Sequence, residues 1–191
     1  PDDRALADFR AEYDLPDPAD GPVVGYTGRH GFEKELPEIP AAVAAADAEA
    51  TLVFGGDGPA RGVVEYACEE AGVDARFLGF LPREDLPALY ATLDAFLFPS
   101  PVETQGLVAL EANACGTPVV GVDAGALADT VVDGETGYHY PRGDTAAFAD
   151  AIDRTLAERE VLSRGCLDRR EETSVGHAVD QLADLYDAVT E

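Results

Sequence analysis

The sequence predicts an α/β fold, a Rossmann-like, doubly wound parallel sheet of about six strands in three layers with helices on both faces. Two observations carry this. Short apolar runs such as Val23–Thr27, Thr51–Phe54 and Ala95–Phe98 alternate with longer segments whose apolar residues recur at helical spacing, the pattern of repeated βαβ units. The stretch Phe98–Val122, FPSPVETQGLVALEANACGTPVVGV, spells out one such unit in full. An apolar run closed by Pro99, Ser100 and Pro101 reads as a buried strand entering a loop. Leu107, Leu110, Ala114 and Cys115 then fall on one helical face, Gly116 stands where a C-cap glycine belongs, and Pro118 opens the next apolar run, Val119–Val122.

Taken in order, residues 1–21 are acidic and punctuated by prolines, with one helical segment over Asp3–Glu12, and read as an interdomain linker. Val23–Thr27 is the first strand. Gly28, Arg29, His30 and Gly31 form the loop at its end, where the glycines permit close backbone approach and His30 reads as solvent-exposed. A helix over Leu36–Ala48 leads to the strand Thr51–Phe54 and then GGDGP. Gly56-Asp57-Gly58 does not complete the fingerprint G-x-G-x-x-G, because Arg61 occupies the last glycine's place. Asp57 reads instead as a residue near the N-cap of a helix running to Ala71. Arg76–Gly79 is the next strand, followed by Phe80, Leu81 and Pro82 and by a helix over Arg83–Thr92 with Leu86, Leu89 and Tyr90 inward. Past Val122, Asp133 and Gly134 make a turn, Gly137–Tyr140 a short extended piece, and Asp144 an N-cap for the helix Thr145–Leu156. The tail Val175–Val189 is amphipathic, with Val179, Leu182, Tyr186 and Val189 on one stripe. The folded domain is therefore expected over 22–174, with 175–191 as a C-terminal helix.

Charge narrows the function. Thirteen basic residues stand against 38 acidic ones, a net charge of −25, and a field of that sign repels nucleic acid and anionic membrane surfaces. The acids are spread through helices and loops, so we expect a surface adapted to high salt, as in a halophile. Twelve of the basic residues are arginine and one is lysine, Lys34, just after the first strand, where a compact ammonium can reach a phosphate. Cys68, Cys115 and Cys166 lack metal-ligand spacing, and neither a disulfide nor a metal is expected. No apolar run of about 18 residues and no signal-peptide pattern is present, which predicts a cytoplasmic protein without a membrane span. The sequence has no methionine, even at position 1, and reads as lacking upstream residues.

Ligands of open parallel sheets sit at the carboxyl ends of the strands, where the first turn of the next helix offers unpaired N–H groups to an anion. Gly106 stands at such a turn, bracketed by Glu103 and Glu111. Carboxylates do not bind phosphate, but they accept hydrogen bonds from hydroxyls. A ligand with both groups is a nucleotide sugar. The spacing also fits a solvated Glu111 and a Glu103 that merely favours a helix N-terminus.

The set of motifs resembles a known family. Glu103 and Glu111 with seven residues between them, Gly106 inside and GTPVVG following are joined by Gly28-Arg29 and Lys34, GDGP, the LGF turn and DGETGYHYPRGD. Together, from Gly28 to Asp144, they are similar to the second domain of retaining glycosyltransferases with the GT-B fold, the group-one or family-four type. The resemblance implies the donor-binding half of such an enzyme, with a nucleotide-sugar donor, an acceptor-binding N-terminal domain in the full-length protein, and no required metal or other cofactor. It implies that Arg29 and Lys34 grip the donor's diphosphate, that Glu103 contacts the sugar and that Glu111 holds the ribose hydroxyls. The Gly106 and Leu107 amides would meet phosphate or sugar, with Gly28, Thr104 and Gln105 in the same pocket, and Phe80 and Leu81 would hold the base. After Val122 the family carries Gly-Gly and a glutamate where this chain has Gly125, Ala126 and Asp129, and Asn113 replaces a common methionine. These departures bear on the identity of the sugar. The missing domain would place the whole protein in the cytoplasm or at the membrane's cytoplasmic face. A GT-B-like epimerase and a glycogen-type phosphorylase share this architecture but would need catalytic groups the sequence does not show. A binding module that senses nucleotide sugars without chemistry is the other alternative, which product analysis with full-length protein separates from transfer.

Overall fold

Both faces of a parallel sheet are covered by helices, so its strands are continuous apolar runs. In the computed structural model, which describes residues 1–190, the strands are β1 (Val23–Thr27), β2 (Thr51–Gly55), β3 (Ala75–Gly79), β4 (Ala95–Phe98), β5 (Val119–Val122) and β6 (Gly137–Tyr140). The inner ones are such runs, whereas the edge strands differ, β3 carrying Arg76 and being only partly buried and β6 reading Gly-Tyr-His-Tyr. Every residue of β1, β4 and β5 is buried. The six strands make one parallel sheet in the order β3-β2-β1-β4-β5-β6. The chain thus starts in the centre, winds outward through β2 and β3, and returns beside β1 to wind the other way.

The helices are α1 (Asp3–Glu12), α2 (Glu38–Ala45), α3 (Arg61–Ala71), α4 (Leu86–Thr92), α5 (Leu107–Ala114), α6 (Leu127–Thr130), α7 (Thr145–Ala157), α8 (Arg159–Asp168) and α9 (Val175–Thr190). α3, α2 and α7 pack side by side as one layer, and α1, α4, α5 and α8 as the other. Cys68 and Cys166 are buried. Among the described residues no helix is long and apolar enough to cross a membrane.

Several boundaries differ from the sequence reading, each through a tertiary contact. α2 stops at Ala45 because Asp153 on α7 accepts hydrogen bonds from the Asp47 and Ala48 amides, at 2.8 and 3.0 Å, and draws the backbone out of the helix. The inward face of α5 is Ala109, Ala112 and Asn113; Leu107 is exposed, and Leu110, Ala114 and Cys115 are only partly buried. In so short a helix apolar residues mark both sides, and the small side chains are the ones that let it lie close to β4 and β5. α8, absent from the sequence reading, buries only Leu162 and Cys166, too few to leave a period. Residues 1–21 are folded onto the domain: α1 packs on α4, Phe9 and Leu15 enter the core, and the Tyr13 hydroxyl donates to Asp85 at 3.0 Å. On α9, Val179, Leu182 and Tyr186 face solvent, and the Val189 side chain lies outside the described residues.

Candidate functional site

Where the strand order reverses, between β1 and β4, the two flanking loops part and leave a crevice at the carboxyl edge of the sheet. Two cavities open along that edge. A smaller one of about 310 Å³ lies between the loop after β1 and the residues Glu103–Val108 that enter α5. A larger one of about 650 Å³ lies between the loops after β1, β2 and β3. They share one wall, Thr27, Gly28 and Arg29. The smaller cavity gathers Gly28, Arg29, Lys34, Glu103, Thr104, Gln105, Gly106 and Leu107, and the larger gathers Phe80 and Leu81. Glu111 lines neither. It is exposed on the second turn of α5, and its Oε2 accepts a hydrogen bond from the buried Tyr90 hydroxyl at 2.8 Å.

A single 3-10 turn, Phe32–Lys34, follows Gly31 and swings the lysine back over the crevice. There the Lys34 ammonium donates to Glu103 Oε1 and joins the loops after β1 and β4. Both side chains are 17% exposed, so the pair is shielded in a way surface pairs are not. Arg29 pairs with Glu33 and keeps 64% of its side chain exposed at the mouth. Beneath the loop lies Tyr26, absent from the sequence reading although it is the penultimate residue of β1. Burial above all, then the carboxylates of Glu103 and Glu33, push its phenol pKa up and keep it protonated.

The loops after β1 and β2 are joined backbone to backbone. Gly28 N–H donates to the Gly55 carbonyl at 3.2 Å, His30 N–H to the Asp57 carbonyl at 2.9 Å, and Ala60 N–H to the His30 carbonyl at 2.8 Å. This overturns two sequence readings. His30 is fully buried, and Asp57 is not a helix cap: α3 begins at Arg61 with Ala60 as N-cap, while Asp57 Oδ1 accepts from the Gly58 amide at 2.7 Å. The approach leaves no room for a side chain at Gly56, which has φ +92° and whose Cβ would run into the Gly28 carbonyl. Gly56→Ala is expected to cost about 3 kcal/mol of stability. Gly62, on α3 with open space around it, is the control, and alanine there should stabilise by about 0.5–1 kcal/mol. Urea denaturation of both variants checks the pair.

Gly106 adopts the left-handed conformation, φ +62°, and caps α5 with its backbone alone. Its carbonyl accepts from the Ala109 and Leu110 amides at 2.9 and 3.2 Å. Among the described residues no side chain caps this turn, so its leading amides are available to an anion in the smaller cavity. The loop behind it is steadied from the segment after β5: Ala126 N–H, where the chain departs from the family's Gly-Gly, donates to the Glu103 carbonyl at 3.2 Å. Phe80, 91% exposed, stands as an apolar lip on the larger cavity, and Leu81 is buried in its wall.

The sequence and the fold have known counterparts. The chain is 37% identical over 180 residues to the 2-deoxystreptamine N-acetyl-D-glucosaminyltransferase of Streptomyces fradiae, a match covering 91% of this chain and 41% of that protein. Sucrose-phosphate synthase from Thermosynechococcus elongatus superimposes with a TM-score of 0.80 at 34% identity, over 96% of this chain and 49% of that one. Anabaena HepE in complex with UDP superimposes with a TM-score of 0.86 over 98% of this chain and 54% of its own, and at 22% identity the likeness is one of fold. The chain thus spans about half the length of these proteins, or less. Residues 10–165, the span holding the whole crevice, match the family described as glycosyl transferases group 1, and the chain belongs to that family.

Proposed function

We propose that this chain is the donor-binding half of a retaining glycosyltransferase, which moves a sugar from a nucleotide-diphosphate sugar to an acceptor held by a separate N-terminal domain. The observation that carries the reading is the two-part crevice about Thr27–Arg29. One part is polar and holds the chain's only lysine and a helix N-terminus, and the other is bounded by Phe80 and Leu81. A diphosphate in the first part would place a base in the second. Arg29, Lys34 and the α5 amides then stabilise the charge that develops on the departing diphosphate, and fixed dipoles do this without reorganisation. Glu103, already engaged by Lys34, accepts hydrogen bonds from sugar hydroxyls and is no nucleophile in this reading. No step assigned here calls on a metal.

The first donor fragment to test is UDP, since solved structures of Anabaena HepE hold UDP and UDP with glucose. A thermal-shift panel of UDP, GDP and ADP should show a rise for at least one of them. With full-length protein, an α-linked donor should yield an α-linked product by NMR, and a β-linked product would contradict retention. Glu111→Gln should weaken nucleotide binding by about 1.5–3 kcal/mol through loss of a charge-assisted bond to ribose. The glutamine oxygen can still accept from Tyr90, so the fold is preserved. Equal affinities for wild type and variant would return Glu111 to the solvated surface.

A further inference from the structure

One buried titratable side chain beside the crevice has no part in the chemistry above. His30 has no exposed surface, and its ring Nε2 lies 3.1 Å from the Gly55 carbonyl, the same oxygen that accepts from the Gly28 amide. A carbonyl only accepts, so Nε2 carries a proton. Nδ1 is buried and has no hydrogen-bond partner among the described residues. The ring stands edge-on to Phe54, with centroids 5.9 Å apart, and lies 6.3 Å from the ring of Tyr26. With its two backbone bonds to Asp57 and Ala60, His30 thus makes three separate ties between the loops after β1 and β2.

We propose that His30 is a positioning residue for the crevice: its neutral Nε2–H form fastens the Gly28–Lys34 loop to the Gly56–Pro59 loop, and a proton on Nδ1 unfastens them. A proton there would set an N–H and a positive charge in a space that offers no acceptor, a large cost in a buried site. Burial lowers the pKa of the ring below its ordinary value. The charged groups that face it are mixed, with Asp57 and Glu65 favouring the cation and Arg61 opposing it. Arg61 is itself held by those two carboxylates, at 3.7 and 2.8 Å. The fastened state therefore binds a proton less readily than an open one. Its advantage is present above the ordinary histidine range, about pH 6.5, and is lost as the pH falls through that value and below.

The consequence for binding rests on the reading of the crevice as a diphosphate site; the consequence for the loops does not. UDP affinity is measured between about pH 8 and about pH 5, across the histidine range, for wild type, His30→Gln and His30→Leu. Glutamine keeps an N–H for Gly55 and does not titrate, so His30→Gln should match the wild type within about twofold at neutral pH, whereas His30→Leu should bind more weakly throughout. The ratio of wild-type to His30→Gln Kd should rise about fivefold at the acid end, and titration of the UDP phosphate cancels in that ratio. Amide exchange at His30 and Ala60, measured without UDP, should accelerate with acid beyond its intrinsic rate in the wild type and not in His30→Gln. Nitrogen NMR of the ring should show the Nε2–H form at neutral pH. Superimposable pH profiles for wild type and His30→Gln, or a ring that is cationic at neutral pH, would overturn the proposal. If UDP binds to none of the variants, the diphosphate reading fails, and exchange and ring NMR still decide the role of His30.

Discussion

The free energy of unfolding is expected to rise by on the order of 3 kcal/mol as KCl is raised from dilute buffer to about 1 M, where the Debye length falls to ~3 Å. The chain carries 38 acidic and 13 basic side chains. Even if every base were paired, 25 carboxylates would have no counter-charge in the protein. Many of the bases are already engaged by acids four residues away, as in Arg4–Asp8, Arg29–Glu33, Arg61–Glu65 and Arg154–Glu158, so they screen neighbours and not the surface at large. Repulsion in the compact state exceeds that in the expanded chain, and mobile cations remove the difference. Urea midpoints across a KCl series test this. A flat profile would remove both the electrostatic account and the proposed adaptation to high salt.

Lys34→Ala should weaken UDP binding by about 2–3 kcal/mol, the loss of a hydrogen bond to a charged group together with the exposure of its partner. Both effects come from the geometry. The ammonium and Glu103 are each 17% exposed, so salt screens them little. Without the lysine, the Glu103 carboxylate faces the phosphates uncompensated and adds repulsion. Uridine, lacking phosphate, should bind the variant as it binds the wild type. Glu103→Gln should act in the opposite sense on UDP, by freeing Lys34, and should weaken a UDP-sugar relative to UDP. If Lys34→Ala weakens UDP and uridine alike, the lysine supports the loop and not the phosphates.

The strands and the outline of the crevice were legible in the sequence, and the way its loops are fastened was not. β1, β4 and β5 fall on the apolar runs that predicted them, because continuous burial is written directly into composition, and β6 falls on the short extended piece expected at Gly137–Tyr140. Lys34 stood out by being the only lysine, and Gly106 by preceding a helix. Contacts between distant segments leave no such mark. The Lys34–Glu103 pair spans 69 residues, the Asp153 caps that end α2 span 106 and 105, and His30 meets Gly55 across 25. A histidine in a glycine-rich loop has a solvent-exposed local sequence context, and only the apposition of β1 and β2 buries it. The inward face of α5 was misread for a related reason, since its alanines matter through the closeness of the sheet and not through hydrophobic size.

Calorimetric titration of this chain with UDP and with uridine, in about 1 M KCl where the Debye length is ~3 Å, tests the central claim most directly. If the crevice is a nucleoside-diphosphate site, UDP should saturate a single site and bind about 300-fold more tightly than uridine, with Lys34→Ala closing most of that gap. Absence of UDP binding in folded protein, or equal affinities for UDP and uridine, would contradict the account.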